Sequence, residues 1–502
     1  MAIYYSRGKQ MRHGFLPYLL SMVFLLSAGC ASYPVNPPLQ QDDGQDSYRM
    51  SNLDSGEKNS DELFVILSMS GGGTRVMALN YGVMEYLDQI RFGADNRSLL
   101  DEVDIISSSS ASSIPAAYYG LYGKEKFLAQ FDDDILYQQL ETSLRRRLVN
   151  PLQWPRTASA NFSRGDMLAE YFDKHVFGGG TFADMQRQRP FIMINATDMG
   201  IVSQFAFTQS YFDWICSDLS QVSVARAVTA SLAFTPYFTP ITLKNYNDGQ
   251  CAYVRPAWVQ NALESGAEAD PLVHRAARDV ISYENIEKRP YIHLLDSGIS
   301  DNMGIRSPLL AYKVTSHFDK VMKGSIKKLV IIMIDAKSNI DFKGDLKSKP
   351  PGVFKSVHTI ATQPLDNYSY ETVNLIKRTV RDQRDGLNKN HSTKSNCDEH
   401  ARSVCSKANE GSDCIETIAG NCLETFGVAQ DKQTFEPDIH LLHVSFELLE
   451  DQSMRQHFQS IPTKLELPRE TVDSLIDVAP RLLKKDPEFH TLLKELGARV
   501  ID

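Results

Sequence analysis

The stretch from Leu63 to Gln89 constrains the fold more than any other part of the chain. LFVILSMS is an uninterrupted apolar run of strand length, GGGT is a glycine turn, and RVMALNYGVMEYLDQI has apolar residues at helical spacing. A strand with no polar face is buried on both sides. A helix that follows it through a short turn is the start of a β-α-β layer. The unit recurs as VDIISSS, then SASS, then the helical IPAAYYGLYG. Further strands are expected at PFIMINATD, SQFAFTQSYF, YIHLLD, KKLVIIMIDA and DIHLLHVSF. Helices are expected over 164–176, 223–232, 467–483 and 487–496, and in DNYSYETVNLIKRTVRDQRDGL. The expected fold class is therefore α/β, with a mostly parallel central sheet. No internal repeat and no series of alternating ten-residue strands is present, so a fused outer-membrane barrel is not expected.

The first thirty residues do not belong to that pattern. Arg7, Lys9 and Arg12 form a positive segment, and Phe15–Leu26 is apolar except for the break at Pro17. This run is too short to span a bilayer comfortably and has the shape of a signal peptide. It ends in LSAGC, where Ala28 and Gly29 precede Cys30 as in a bacterial lipobox, although Ser27 stands where leucine is usual. There the signal is cut before the cysteine and the thiol carries diacylglycerol. A plain signal peptide or an uncleaved anchor is the alternative. The expected division is 1–29 signal peptide, 30–61 lipidated Cys30 and flexible tether, and 62–497 folded domain. The tether reading rests on the Pro, Asp, Ser, Asn and Gln that dominate residues 31–61.

Charge and cysteine content agree with export. The net charge is −9 over 502 residues, and no long basic block occurs, which argues against nucleic acid as a partner. Removing Arg7, Lys9 and Arg12 with the signal lowers the charge to −12. A body so acidic gains nothing electrostatically from anionic lipid, so the anchor would have to hold it at a membrane. Of seven cysteines, lipidation of Cys30 leaves Cys216, Cys251, Cys397, Cys405, Cys414 and Cys422. An even remainder suits disulfides in an oxidising compartment. Cys216 and Cys251 could close one loop. The last four lie in a polar insertion or long loop at about 388–436 and admit three pairings. They contain no C-x-x-C, so zinc is the weaker reading. Ala31 lacks the acidic side chain of an inner-membrane retention signal. The expected location is thus the bacterial envelope, at the outer membrane, on its periplasmic side or surface.

Three turns could carry chemistry. Ser70-Gly71-Gly72-Gly73-Thr74-Arg75 joins a strand to a helix, where bare backbone and unpaired N–H groups can face an anion. No G-K-[ST] follows and Val76 breaks G-x-G-x-x-G, so a nucleotide site is not indicated. Ser107–Ser113 is a second strand-to-helix turn, of the kind that holds a nucleophile out of a sheet. His293–Gly304 ends a strand in Asp296 and then turns, which can deliver a carboxylate to a sheet edge. Taken singly, each has a bland explanation: a packing turn, a serine-rich loop, a local hydrogen-bonded turn.

Together, these motifs resemble the patatin-like acyl hydrolases. GGGTR at 71–75 is similar to that family's oxyanion loop, ISSSSASSIPAAYYGLYG to its nucleophile elbow, and DSGISDNMGI to its D-G-G-x-x-D-N-x-G segment. The resemblance extends to TFADM, INATD, ASLAFTPYFTPI and SIPTKLEL. It implies a three-layer αβα sandwich and phospholipase A or lysophospholipase-type ester hydrolysis. It further implies Ser110 as nucleophile, Asp296 as base, Gly71, Gly72 and Gly73 as the oxyanion loop, and Arg75 anchoring that loop. The substrate class is a phospholipid or other acyl-ester lipid, and no metal or cofactor is implied. Ser108, Ser112 and Ser297 replace family glycines. They leave Ser109 and Ser112 as fallback nucleophiles, and a degenerate lipid-binding or scaffolding lipoprotein as the rival function. A histidine triad using His391, His400, His440, His443, His457 or His490 is a rival arrangement, though none sits in a distinctive turn. Arg145, Arg146 and Arg147, near Leu148 and Trp154, are read as a solvated helix face rather than a headgroup contact.

Overall fold

The computed structural model describes residues 32, 34–39, 47–60, 62–157, 159, 162–235, 237–251, 253–314, 326–338, 348, 350, 352–408, 412–425 and 438–501. Side chains within 353–368 and 382–391 are outside the description. The signal segment and Cys30 also lie outside the described residues.

Among the described residues there are eleven strands: β1 Leu63–Met69, β2 Ile90–Phe92, β3 Arg97–Ser98, β4 Val103–Ser108, β5 Phe191–Asp198, β6 Ser203–Phe207, β7 Ile241–Lys244, β8 Tyr291–Leu295, β9 Lys328–Asp335, β10 Asp438–Ser445 and β11 Arg499–Val500. Eight form the central sheet, in the order β10-β9-β1-β4-β5-β8-β7, with β6 on β5. From β10 to β5 every pairing is parallel, and β6, β7 and β8 pair antiparallel. β2, β3 and β11 make a small separate sheet. The fold is the mixed α/β architecture expected, with helices on the central sheet.

β1 is buried along its whole length, as an all-apolar strand inside a covered sheet must be. The helix Thr74–Gln89 returns from its carboxyl end and packs on the helix Arg469–Leu483. Gly82 sets the closeness of that crossing, because a Cβ there would stand 2.5 Å from Ile476 O. The helix Ser113–Phe131 follows β4 and buries a ring cluster of Tyr81, Tyr118, Phe127 and Phe131.

Two regions differ from expectation. Residues 47–60 belong to the body rather than to a tether. Tyr48 is buried, its hydroxyl accepts from Ile192 N at 2.9 Å, and its ring stacks on Phe191. Arg49 pairs with Asp213, and Asn59 donates to Asp104. Composition concealed this because one aromatic ring and a few polar side chains do the docking. Residues 36–39 are docked as well, against 216–218 and Lys244.

The cysteine-bearing insertion is helical where it is described. The helix Val353–Ala408 is followed by the helix Ser412–Thr425. Disulfides Cys397–Cys422 and Cys405–Cys414 cross-link them, and Cys216–Cys251 is the third bridge. Of the three pairings open to the last four cysteines, the nested one is adopted. Residues eight apart on a helix stand about 12 Å apart along its axis, so two antiparallel helices bring only the nested pairs together.

Gly82→Ala is expected to cost about 1–3 kcal/mol, since its methyl meets backbone that cannot yield cheaply. Urea denaturation of the purified protein measures it. An unchanged midpoint would mean that the two helices separate freely.

Candidate active site

The turn after β1 and the turn after β4 leave the sheet side by side, because Met69 lies opposite Ser108 in the parallel register. Both are at the carboxyl edge, where α/β sheets hold their ligands. Asp296 arrives from the other direction, at the end of antiparallel β8, whose Leu295 lies opposite Thr197 of β5.

These turns bring one hydroxyl and one carboxylate together. Ser110 Oγ donates to Asp296 Oδ2 at 2.8 Å. Ser110 holds φ at 52°, a left-handed conformation that a side chain bearing a Cβ adopts at a cost of about 1–3 kcal/mol. Its N–H donates to Ser297 Oγ at 2.7 Å, and its carbonyl accepts from Ser113 Oγ at 2.6 Å. The elbow is thus held at nitrogen, oxygen and side chain. Ser110 is half-buried, whereas Ser109 and Ser112 are fully buried. Ser109 Oγ meets Ser297 Oγ, and Ser112 Oγ donates to Ser70 O while accepting from Asn80. Neither fallback serine faces a carboxylate.

Asp296 is 5% exposed, and burial pushes its carboxyl up to about 6. The Ser110 hydroxyl and the Gly298 N–H, which donates to Oδ1 at 2.8 Å, partly oppose that rise. Among the described residues no histidine hydrogen-bonds to Ser110 or Asp296. His440 instead meets Glu488, and the His443 backbone N–H donates to Asp486 Oδ2. Asp438, His440 and Glu495 cluster at the amino edge of the sheet, and the Lys328 ammonium already sits on both carboxylates. His391 lies outside the described side chains.

The glycine loop is fitted to its surroundings residue by residue. Gly71 N–H donates to Asn302 O at 2.9 Å, so of the three expected donors this one is committed inside the protein. What Gly71 contributes is the missing Cβ, which would stand 2.5 Å from Asn302 Oδ1 and 3.1 Å from Ser110 Cβ. Gly73 has φ of 67°, and a Cβ on it would strike Lys464 O at 2.4 Å. Among the described residues, the Gly72 and Gly73 amides have no acceptor. They precede the Thr74–Gln89 helix, whose N-terminal end favours negative charge. Arg75 is buried and donates to Ala336 O at 2.8 Å and to Ile461 O, tying the loop to β9 and to the segment before Pro468.

The patatin-like phospholipase family model matches residues 67–309, a span that contains all three turns. Residues 67–309 are a patatin-like phospholipase domain. Direct comparison with curated proteins finds no match. Among solved structures, human GIVD cytosolic phospholipase A2 is similar at a TM-score of 0.32 and 14% identity, over 55% of this chain and 46% of that one.

Apart from Ser297, read from the sequence as replacing a family glycine, several polar residues of this patatin-like site were not singled out from the sequence. Ser297 and Ser231 sit under the elbow, with Ser231 Oγ 3.2 Å from Ser297 Oγ and accepting from Ser113. Thr197 donates to Asp296 O at 2.8 Å, and Asn195 donates to Ser107 Oγ and Ser108 O. For Asn195 and Thr197 the signal was present: polar side chains inside the buried strand FIMINATD need buried partners.

Asp296 binds its proton more tightly folded than unfolded. Its favourable contribution is complete below the ordinary carboxylate value and is lost as pH rises through about 6. Asp296→Asn is expected to raise stability at pH 7.5, by up to about 3 kcal/mol. The gap should close below about pH 4. Thermal melts of both proteins across that range test this, and a variant less stable at pH 7.5 would contradict it.

Proposed function

We propose that the chain is a serine acyl hydrolase acting on phospholipids or related acyl-ester lipids. The observation that carries this reading is the direct 2.8 Å hydrogen bond from Ser110 Oγ to a buried Asp296 that has no cationic partner among the described residues. In this mechanism Ser110 Oγ attacks the ester carbonyl carbon and its proton passes to Asp296. The carbonyl oxygen takes the negative charge and is met by the Gly72 and Gly73 amides, each donor worth on the order of 3 kcal/mol in the transition state. The carbon–oxygen bond to the leaving alcohol then breaks, and Asp296 returns the proton to that alcohol. A water molecule, deprotonated by the same carboxylate, releases the acyl group as the free acid and restores Ser110.

A base must be ionised to accept a proton, so the raised pKa of Asp296 has a kinetic consequence. Turnover should fall tenfold per pH unit below about 6 and level off above it. Ser110→Ala and Asp296→Asn are each expected to lower kcat by at least about a thousandfold, with KM little changed. A residues 31–502 protein assayed on acyl esters of several chain lengths supplies the measurement. If the parent has no turnover and resists fluorophosphonate, the scaffold reading replaces this one.

We propose further that Cys30 carries the lipid anchor, at the envelope membrane, on the strength of the positive segment, apolar run and small-residue flank preceding it. No helix among the described residues is long and apolar enough to cross a membrane. Mass spectrometry of the mature N-terminus should find a diacylated Cys30. Cleavage elsewhere, or an unmodified thiol, refutes the anchor.

A further inference from the structure

We infer that the carboxyl edge of the sheet, around the mouth of the Ser110 site, is the surface that rests on the bilayer, held there by a leash too short to allow any other orientation. The inference rests on the lipidation of Cys30 proposed above, and adds to it a face, an orientation and a set of contact residues.

The leash is short because Asn36 is docked. Its side-chain amide pairs with Lys244 of edge strand β7 as a neighbouring strand would, accepting from Lys244 N at 2.7 Å and donating to Lys244 O at 3.0 Å. The same nitrogen donates to Ser217 Oγ, and the Asn36 carbonyl accepts from the Tyr246 hydroxyl. Asn36 is 5% exposed. Next to it Leu39 N donates to Cys216 O, in the loop closed by the Cys216–Cys251 disulfide. Six residue steps separate Cys30 from Asn36, a reach of at most about 21 Å. A compact body of this length is roughly 60 Å across. Only the face bearing Asn36 can lie against the lipid.

Strand register says which face that is. Lys244 lies opposite Tyr291, and Leu294 opposite Asp198, the last residue of β5. Tyr291, and with it the docked Asn36, therefore stands three residues, or about 10 Å, beyond the carboxyl edge of the parallel strands. Asp296 lies farther along the same strand direction, at that edge. The leash thus attaches on the side to which the site opens.

Five of the exposed large apolar side chains stand on this side. Val35 flanks the dock, Tyr291 stands opposite it, Met199 and Val202 form the tip of the β5–β6 turn, and Tyr237 lies between the site and β7; all are 46–53% exposed. Ala233, four residues before Tyr237, accepts the Asp296 amide. Valine, methionine and tyrosine at turn tips suit shallow entry into the headgroup and acyl boundary, which needs no basic charge. The acidic body has no basic block with which to seek anionic lipid, so apolar contact and anchor act together.

The test uses the full, lipidated chain with Ser110→Ala to prevent turnover, reconstituted into phosphatidylcholine vesicles whose acyl chains carry bromine, a short-range quencher of indole. Val202→Trp and Tyr291→Trp report on the proposed face. Val500→Trp reports on the opposite edge, since β11 pairs with β2 at the far end of the Thr74–Gln89 helix. After subtraction of the parent signal, both reporters on the proposed face should be quenched at least about threefold more than the one at 500, given an entry depth of roughly 5–10 Å. A Gly-Ser insertion of about 20 residues after Ser32 should abolish the difference by freeing the body. Equal quenching at all three positions in the lipidated protein, or strongest quenching at 500, overturns the orientation while leaving anchor and chemistry standing. A mass without diacylglycerol on Cys30 overturns anchor and orientation together.

Discussion

The register between β1 and β4 is the constraint on which the rest depends. Because Met69 lies opposite Ser108, the glycine turn and the serine turn leave the sheet at one level and in one direction. A slip of one residue would reverse every side chain on the strand and part the two turns. The register is secured from below by Asp104. Its carboxylate accepts from Val65 N at 2.7 Å and from Arg189 at 2.7 Å, locking the start of β4 to β1 and to the residue before cis Pro190. Antiparallel β8 then needs only to end at the same edge for its last turn to face the elbow.

Serine in place of glycine at the elbow looks, in one dimension, like decay. In three dimensions each hydroxyl has a partner. Ser107 donates to Gly304 O, Ser108 to Met193 O, Ser112 to Ser70 O and Ser113 to Ser110 O. Ser297 receives the Ser110 N–H and touches Ser109 and Ser231. A buried hydroxyl left alone would cost about 1–3 kcal/mol, so a lattice of this size survives only when nearly every member is satisfied. What glycine supplies elsewhere by flexibility is supplied here by rigidity. The lattice holds Ser110 in its left-handed conformation and leaves a single hydroxyl pointed at a carboxylate.

Much of this was legible in the residues, and what was not had a physical reason. Apolar runs named the central strands because buried parallel strands have no polar face to blur them. The three turns were legible through Gly, Ser and Asp at strand ends. Which hydroxyl of the serine run meets Asp296 was legible only through the resemblance, since the answer depends on one backbone angle at Ser110. Gly71 was read as a donor, but its amide is consumed by Asn302, a contact made across a separation of 231 residues that no local pattern encodes. Residues 47–60 looked like linker because docking there uses Tyr48, Arg49 and Asn59 rather than an apolar stripe. The polar insertion looked like loop because its helices are cross-linked by disulfides, which lessens the need for an apolar seam.

Burial alone does not single out the carboxylate proposed as base. Asp104 is as deeply buried as Asp296, and burial pushes it up as well, to about 7. The difference lies in what each oxygen faces. Asp104 is surrounded by Arg189, Asn59 and Val65 N, so both oxygens are engaged by donors that have no proton to give up, and a permanent cation opposes protonation. Among the described residues Asp296 faces one amide and one hydroxyl, and of these only the hydroxyl can part with its proton. Desolvation makes both groups stronger bases than an exposed aspartate, but only at Asp296 does that basicity act on a group able to become a nucleophile. A cation placed beside Asp296 would steady the fold and weaken the base, so neutral surroundings are what the proposed chemistry requires rather than a failure of packing.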